Sequence, residues 1–134
     1  MNTKSRNLMW TPFVALWLAA CSSSTPSPTD GRRVVEAQIG QQSNGLIKLV
    51  SFEKTNGQET DFMGAKGYIM DYKAEIEFLD TCVWGTGGFG GGDFVAARSS
   101  PMMFGVQKMQ KGQRTTVSGK LGFRKTERGW VTGE

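Results

Sequence analysis

Asp71, Glu75 and Glu77 are the carboxylates whose spacing could do chemistry. On an extended strand all three project from one face, because side chains alternate with a period of two. Two of them could divide general-acid and general-base work, or the group could gather a calcium ion. Lys73 stands in the same row. A row of mixed charges is what a solvated strand face carries, and that is the expectation here. The chain has no histidine. That removes hydrolytic triads using imidazole, His-ligated zinc and His-ligated haem. Only two cysteines are present, Cys21 and Cys82, too few for a Cys-rich metal site or a C-x-x-C redox pair. Leu79, Val83 and Trp84 surround Cys82, and no adjacent cation lowers its pKa. It is expected to be a small buried apolar group. No catalytic residue, no metal site and no cofactor is assigned.

Gly85-Thr86-Gly87-Gly88-Phe89-Gly90-Gly91-Gly92 contains the spacing G-x-G-x-x-G. Dinucleotide binding needs a strand before such a run and a helix N-terminus after it, so that amides and helix dipole meet the pyrophosphate. Asp93-Phe94-Val95-Ala96-Ala97 leaves room for only a very short helix, and no G-K-[ST] follows. The run reads as a loop. Trp84, Phe89, Phe94, Met102, Met103 and Phe104 cluster around it in sequence. Aromatic and methionine side chains beside a glycine segment form an adaptable apolar surface for a peptide, a lipid or a protein. These six are the candidate ligand- or partner-binding residues. The competing expectation is that they cap the open end of a sheet.

The chain has 134 residues and a formal charge of +4. Residues 51–93 carry a net −5, and residues 101–134 a net +5. Equal and opposite blocks are expected to face each other on neighbouring strands, where cross-strand ion pairs form. The alternative is a dipolar surface that steers a charged partner. The basic balance derives in part from Lys4 and Arg6, so it gives nucleic-acid binding no support.

Lys4 and Arg6 precede an apolar run from Leu8 to Ala20 that ends in Leu18-Ala19-Ala20-Cys21. The run is 13 residues long, whereas a bilayer-spanning helix needs roughly 20. Pro12 inside it disfavours an unbroken helix. The arrangement resembles the signal peptide and lipobox of secreted bacterial lipoproteins. The resemblance implies cleavage before Cys21, lipid on its sulfur and acylation of its new amino group. Several acyl chains give stable anchoring where one gives marginal binding. Ser22 after the cysteine implies an outer-membrane address, lipid-anchored and facing the periplasm. The implied partners are the membrane, through the anchor, and an envelope component, with no nucleic acid. The sequence carries no signal for an oligomeric state.

Three parts are expected: a signal peptide over 1–20, the lipidated cysteine with a Ser/Pro tether over 21–31, and one domain over 32–134 with its Gly-rich loop at 85–92. The tether reading rests on Ser22–Thr25, Pro26 and Pro28. A short helix is expected from Arg32 to about Gln42, with Asp30 as N-cap and Asn44-Gly45 as C-cap. Val35 and Ile39 share its apolar face. A strand is expected over Leu46–Lys54, and Asn56-Gly57 is the strongest hairpin-turn signal. Over Gly67–Leu79 six apolar residues, Tyr68, Met70, Tyr72, Ala74, Ile76 and Phe78, alternate with Ile69, Asp71, Lys73, Glu75, Glu77 and Leu79. Thr115–Lys125 is the next strand, with Val117, Leu121 and Phe123 on one face. If these two strands pair antiparallel, Lys120 and Arg124 oppose the acidic row. A turn at 126–129 leads to a short last strand at Trp130-Val131.

The runs L-V-S-F-E-K-T-N-G-Q (49–58), Y-x-x-x-Y-x-A-E-I-E-F (68–78) and K-G-Q-R-T-T-V-S-G-K-L-x-F-x-K-T-E-R-G-W (111–130) resemble a small bacterial envelope domain to which no activity is attached. The order of one helix before a curved antiparallel sheet is similar, by analogy, to cystatin-like or NTF2-like rolls. The fold class is therefore α+β, one short helix on a curved antiparallel sheet. The function expected is a non-catalytic binding or accessory module of the envelope. Two alternatives stand beside it. One is a carrier of a small apolar ligand, walled by Tyr68, Tyr72, Phe78, Leu121 and Phe123. The other is an envelope hydrolase or transferase working with carboxylates, Tyr and Lys.

Overall fold

The computed structural model describes residues 24–85, 94–98 and 106–132. The first element, α1, spans Pro28–Gln42. Strands β1 (Ile47–Phe62), β2 (Ala65–Phe78), β3 (Cys82–Gly85), β4 (Val95–Ala97), β5 (Val106–Met109), β6 (Arg114–Thr126) and β7 (Gly129–Thr132) follow. The larger sheet has the order β1-β2-β6-β7 and the smaller one β4-β3-β5. Every pairing in both is antiparallel. With α1 packed on the larger sheet, the described residues form an α+β fold.

The helix begins at Pro28, ahead of the expected Arg32. Ser27 is the N-cap, and its hydroxyl accepts from the Asp30 N–H at 3.2 Å. The Asp30 carboxylate accepts in return from the Ser27 N–H at 2.8 Å. Asp30 is thus the third helical residue of a capping box, not the cap. Pro28 fits the first helical position, where its fixed φ is already helical and no N–H is needed. Prolines 26 and 28 therefore do not extend the tether: Pro26 is buried, and Pro28 opens the helix. Val35 and Ile39 are buried as their spacing implies. Gly31 is buried too, because a Cβ there would stand 2.6 Å from the Met70 sulfur and the Phe52 ring. The helix consequently lies close on the sheet.

In β2 the expected alternation holds: all six apolar residues from Tyr68 to Phe78 are buried on the face under α1. Strand β1 departs from expectation. It runs straight through Asn56-Gly57, which pair with Asp71 and Met70. The turn is Met63-Gly64, with φ of 53° and 82°, and both values are positive as a tight type I′ hairpin requires. Register shifts between Leu49 and Ser51, and between Lys54 and Asn56, mark two bulges. These let the long strand bend over the core. Gly57 serves there as space for the Tyr68 ring, which a Cβ would strike.

Strand β6 pairs with β2 along its length, and Lys120 stands opposite Asp71. Their side chains form an ion pair at 2.6 Å. Arg124 stands opposite Gly67 and not opposite an acid. Its expected role falls to Arg114, which reaches Glu75 at 3.5 Å and Glu77 at 3.3 Å. The opposite charge blocks therefore meet across one strand boundary. Beyond the C-terminal end of α1, the smaller sheet continues the core through Cys82, Trp84, Phe94, Ala96 and Met109. The Asn44 amide donates to the Ala96 carbonyl at 3.1 Å and ties β4 to the helix end.

Candidate functional site

Of the six candidate binding residues, Trp84 and Phe94 are described, and both are buried. Trp84 packs edge-on against Phe78 at 5.8 Å between ring centroids. These two side chains close the end of the core, which was the competing expectation for them. Phe89, Met102, Met103 and Phe104 lie outside the described residues, as does Cys21. After the glycine run the chain forms strand β4 at Val95–Ala97 and no helix, so the G-x-G-x-x-G spacing lacks the helix N-terminus that dinucleotide binding needs.

The acidic row has a structural use. Asp71, Glu75 and Glu77 each face a cation of β6 on the outer side of the sheet. Among the described residues no group of three or more acids or cysteines is arranged to hold a metal ion. Cys82 is buried. Loss of solvation pushes its thiol above the ordinary cysteine range, and the negative charge of Asp80 pushes the same way. Both effects keep the thiol protonated and disfavour its use as a nucleophile.

The inner face of the sheet is packed with its own side chains. Tyr68, Tyr72, Phe78, Leu121 and Phe123 all belong to one buried cluster. Tyr72 stacks on Phe52 at 5.3 Å and lies over Gly119, where a Cβ would come within 2.6 Å of its hydroxyl. Tyr68 lies over Gly57, meets Trp130 edge-on at 6.0 Å and carries the Lys54 ammonium 4.7 Å above its ring. Glycines on β1 and β6 thus make room for the tyrosines of β2.

One recess of about 310 Å³ lies mid-sheet beside Asp71 and Lys120, and two others sit at the other end of the sheet, where the β1–β2 and β6–β7 hairpins finish. A groove of about 810 Å³ runs there, with Gly67, Ile69, Gly122 and Arg124 along it. Its origin is one cross-strand pair: Ile69 stands opposite Gly122. Gln58 flanks Ile69 on the β1 side, but with no side chain opposite it on β6, Ile69 keeps 36% of its surface exposed. Nothing lies within 4 Å of a Cβ placed on Gly122. Val131, opposite Arg124, is 39% exposed. A second recess of about 340 Å³ shares Thr60, Lys66 and Gly67 with the groove and adds Ser24, Glu59, Asp61, Lys125 and Trp130. The two meet at these three shared residues. The groove sets the apolar surface of Ile69 beside the cations Lys66 and Arg124, neither of which forms an ion pair among the described residues, whereas the second recess holds Glu59 and Asp61 as well as Lys125.

These groove residues were missed in the sequence. The available signal was a glycine inside a strand, which marks a place where something approaches closely. Gly122 shows that sign, but only the register sets it opposite Ile69. No protein-family model matches the chain, and neither a curated protein nor a solved structure matches it.

Proposed function

We propose that this chain is a bacterial lipoprotein, anchored through Cys21 in the outer membrane and facing the periplasm. Its folded part is a non-catalytic binding module for another component of the envelope. The groove between Ile69 and Gly122 is its recognition surface. The observation that carries this reading is the exposed apolar floor beside unpaired cations. Such a strip suits a ligand or partner with both apolar and anionic parts. Two further observations support it. The carboxylates that a hydrolase would need are engaged with Arg114 and Lys120. The residues that would wall an apolar carrier are packed into the core.

A photo-crosslinking residue in place of Ile69, in the full-length chain produced in a Gram-negative host, tests this reading. The expected result is a discrete adduct in the membrane fraction, lost when Gly122→Leu fills the groove. Cys21→Ser should abolish acyl labelling and membrane retention. An acylated, folded chain that gives no adduct from position 69 overturns the binding role. Retained acylation in Cys21→Ser overturns the anchor.

A further inference from the structure

We infer that the hairpin end of the larger sheet rests on the phospholipid leaflet that holds the anchor. The inference builds on the proposed acylation of Cys21 and names the partner of the groove. Its first support is the path of the chain before α1. Gly31 sits over Met70 and Phe52. Upstream, the Pro26 carbonyl accepts from Lys54 Nζ at 3.2 Å. Further upstream, Ser24 lines the recess with Glu59, Lys125 and Trp130. Each step towards Cys21 moves further along the sheet towards the hairpin end.

Chain length then limits what the anchor can reach. Three residue steps separate Cys21 from Ser24. Even fully extended, they span at most roughly 11 Å. A ten-residue tether would let the domain turn freely above the membrane. A span this short, leaving from one end of the molecule, holds that end close to the leaflet.

The chemistry of that end suits a lipid surface. Met63, at the tip of the β1–β2 hairpin, is 96% exposed. Ile69 and Val131 add apolar surface to it. Trp130 is half-buried, and its indole joins an apolar body to a polar N–H, a side chain suited to the boundary of a bilayer. Lys125 stands 5.9 Å above that ring. Lys66, Arg124, Lys125 and Arg128 supply positive charge for lipid phosphates. Glu59, Asp61 and Glu127 are also at this end. Asp61 is engaged in the turn, where it accepts from the Gly64 N–H at 3.0 Å. A second, weak membrane contact beside the acyl chains orients the domain as well as holding it. Strand β2 has 14 residues, so the smaller sheet stands further from the lipid by up to roughly 45 Å.

The test uses the full-length acylated chain with Cys82→Ala, in phosphatidylethanolamine/phosphatidylglycerol vesicles. A fluorescent label is placed at Met63→Cys, or at Lys111→Cys in the turn before β6. Both sites are exposed, so neither disturbs the core. Spin-labelled lipid should quench the label at 63 at least about threefold more than the label at 111. Equal quenching, with Cys21 acylated by mass spectrometry, overturns the orientation alone. An unmodified Cys21 overturns the anchor and the orientation together.

Discussion

At the scale of single residues, the Ser27–Asp30 pair shows how one local exchange sets a boundary. The Ser27 hydroxyl donates to the Asp30 carboxylate at 2.7 Å, and the Ser27 N–H donates to the same oxygen at 2.8 Å. The hydroxyl bond, then the backbone bond, hold the Asp30 carboxyl below its ordinary range, against a smaller opposing effect of burial. Because the folded pKa is the lower one, the stabilisation is complete above the unfolded pKa. It is lost as pH falls through the folded value. The denaturation midpoint should therefore drop below about pH 4, and the drop should be smaller in Asp30→Asn. Ser27→Ala should cost about 1 kcal/mol at neutral pH, measured by chemical denaturation. An unchanged midpoint in Ser27→Ala would show that the cap contributes nothing. Ser27 and Asp30 have capping-box spacing, so this feature was legible. It was misread because the neighbouring prolines also suit a tether.

At the scale of elements, β6 carries two glycines with opposite consequences. Gly119 faces the core, and a Cβ there must displace Tyr72. Gly122 faces the groove and open space. Gly119→Ala should destabilise by about 1–3 kcal/mol, the usual cost of overpacking. Gly122→Ala should leave stability within about 0.5 kcal/mol of the parent. Equal effects in thermal melts would show that Tyr72 does not lie over Gly119. The alternation in β2 made its buried face legible from residue types alone. Asn56-Gly57 misled because a turn dipeptide and a bulged, glycine-relieved strand look alike over two residues. What separates them is Tyr68, eleven residues further along the chain, which needs the space that Gly57 leaves.

For the whole molecule, the opposite charge blocks become a ladder on the outer face of the sheet. Its cations are largely solvent-exposed, with Lys120 keeping 74% of its side-chain surface and Arg114 53%, while the acids Asp71, Glu75 and Glu77 are partly buried. Exposed pairs are worth about 0–1 kcal/mol each and are screened by salt. Raising sodium chloride from about 0.1 to 1 M should therefore lower stability by no more than about 1–2 kcal/mol. A larger loss would mean that the ladder, not the buried cluster under α1, holds the sheet together. The two ends of the molecule also divide its chemistry. The end beside the smaller sheet is closed by Phe78, Trp84 and Phe94, whereas the hairpin end is open and carries the groove and the recess beside Trp130.

The α+β class, the apolar face of β2, the strand character of β6 and the apolar stripe of α1 were determined by the sequence itself. Each rests on a repeat of two or nearly four residues, which a chain displays locally. Tertiary structure alone decided which residues stand opposite each other. It set Arg114 rather than Arg124 against the acidic row, carried β1 through Asn56-Gly57 and left Ile69 facing Gly122. Cross-strand register depends on bulges and on side chains far apart in sequence, and one residue of slip reverses every face. The groove is a product of register, so no local pattern announces it.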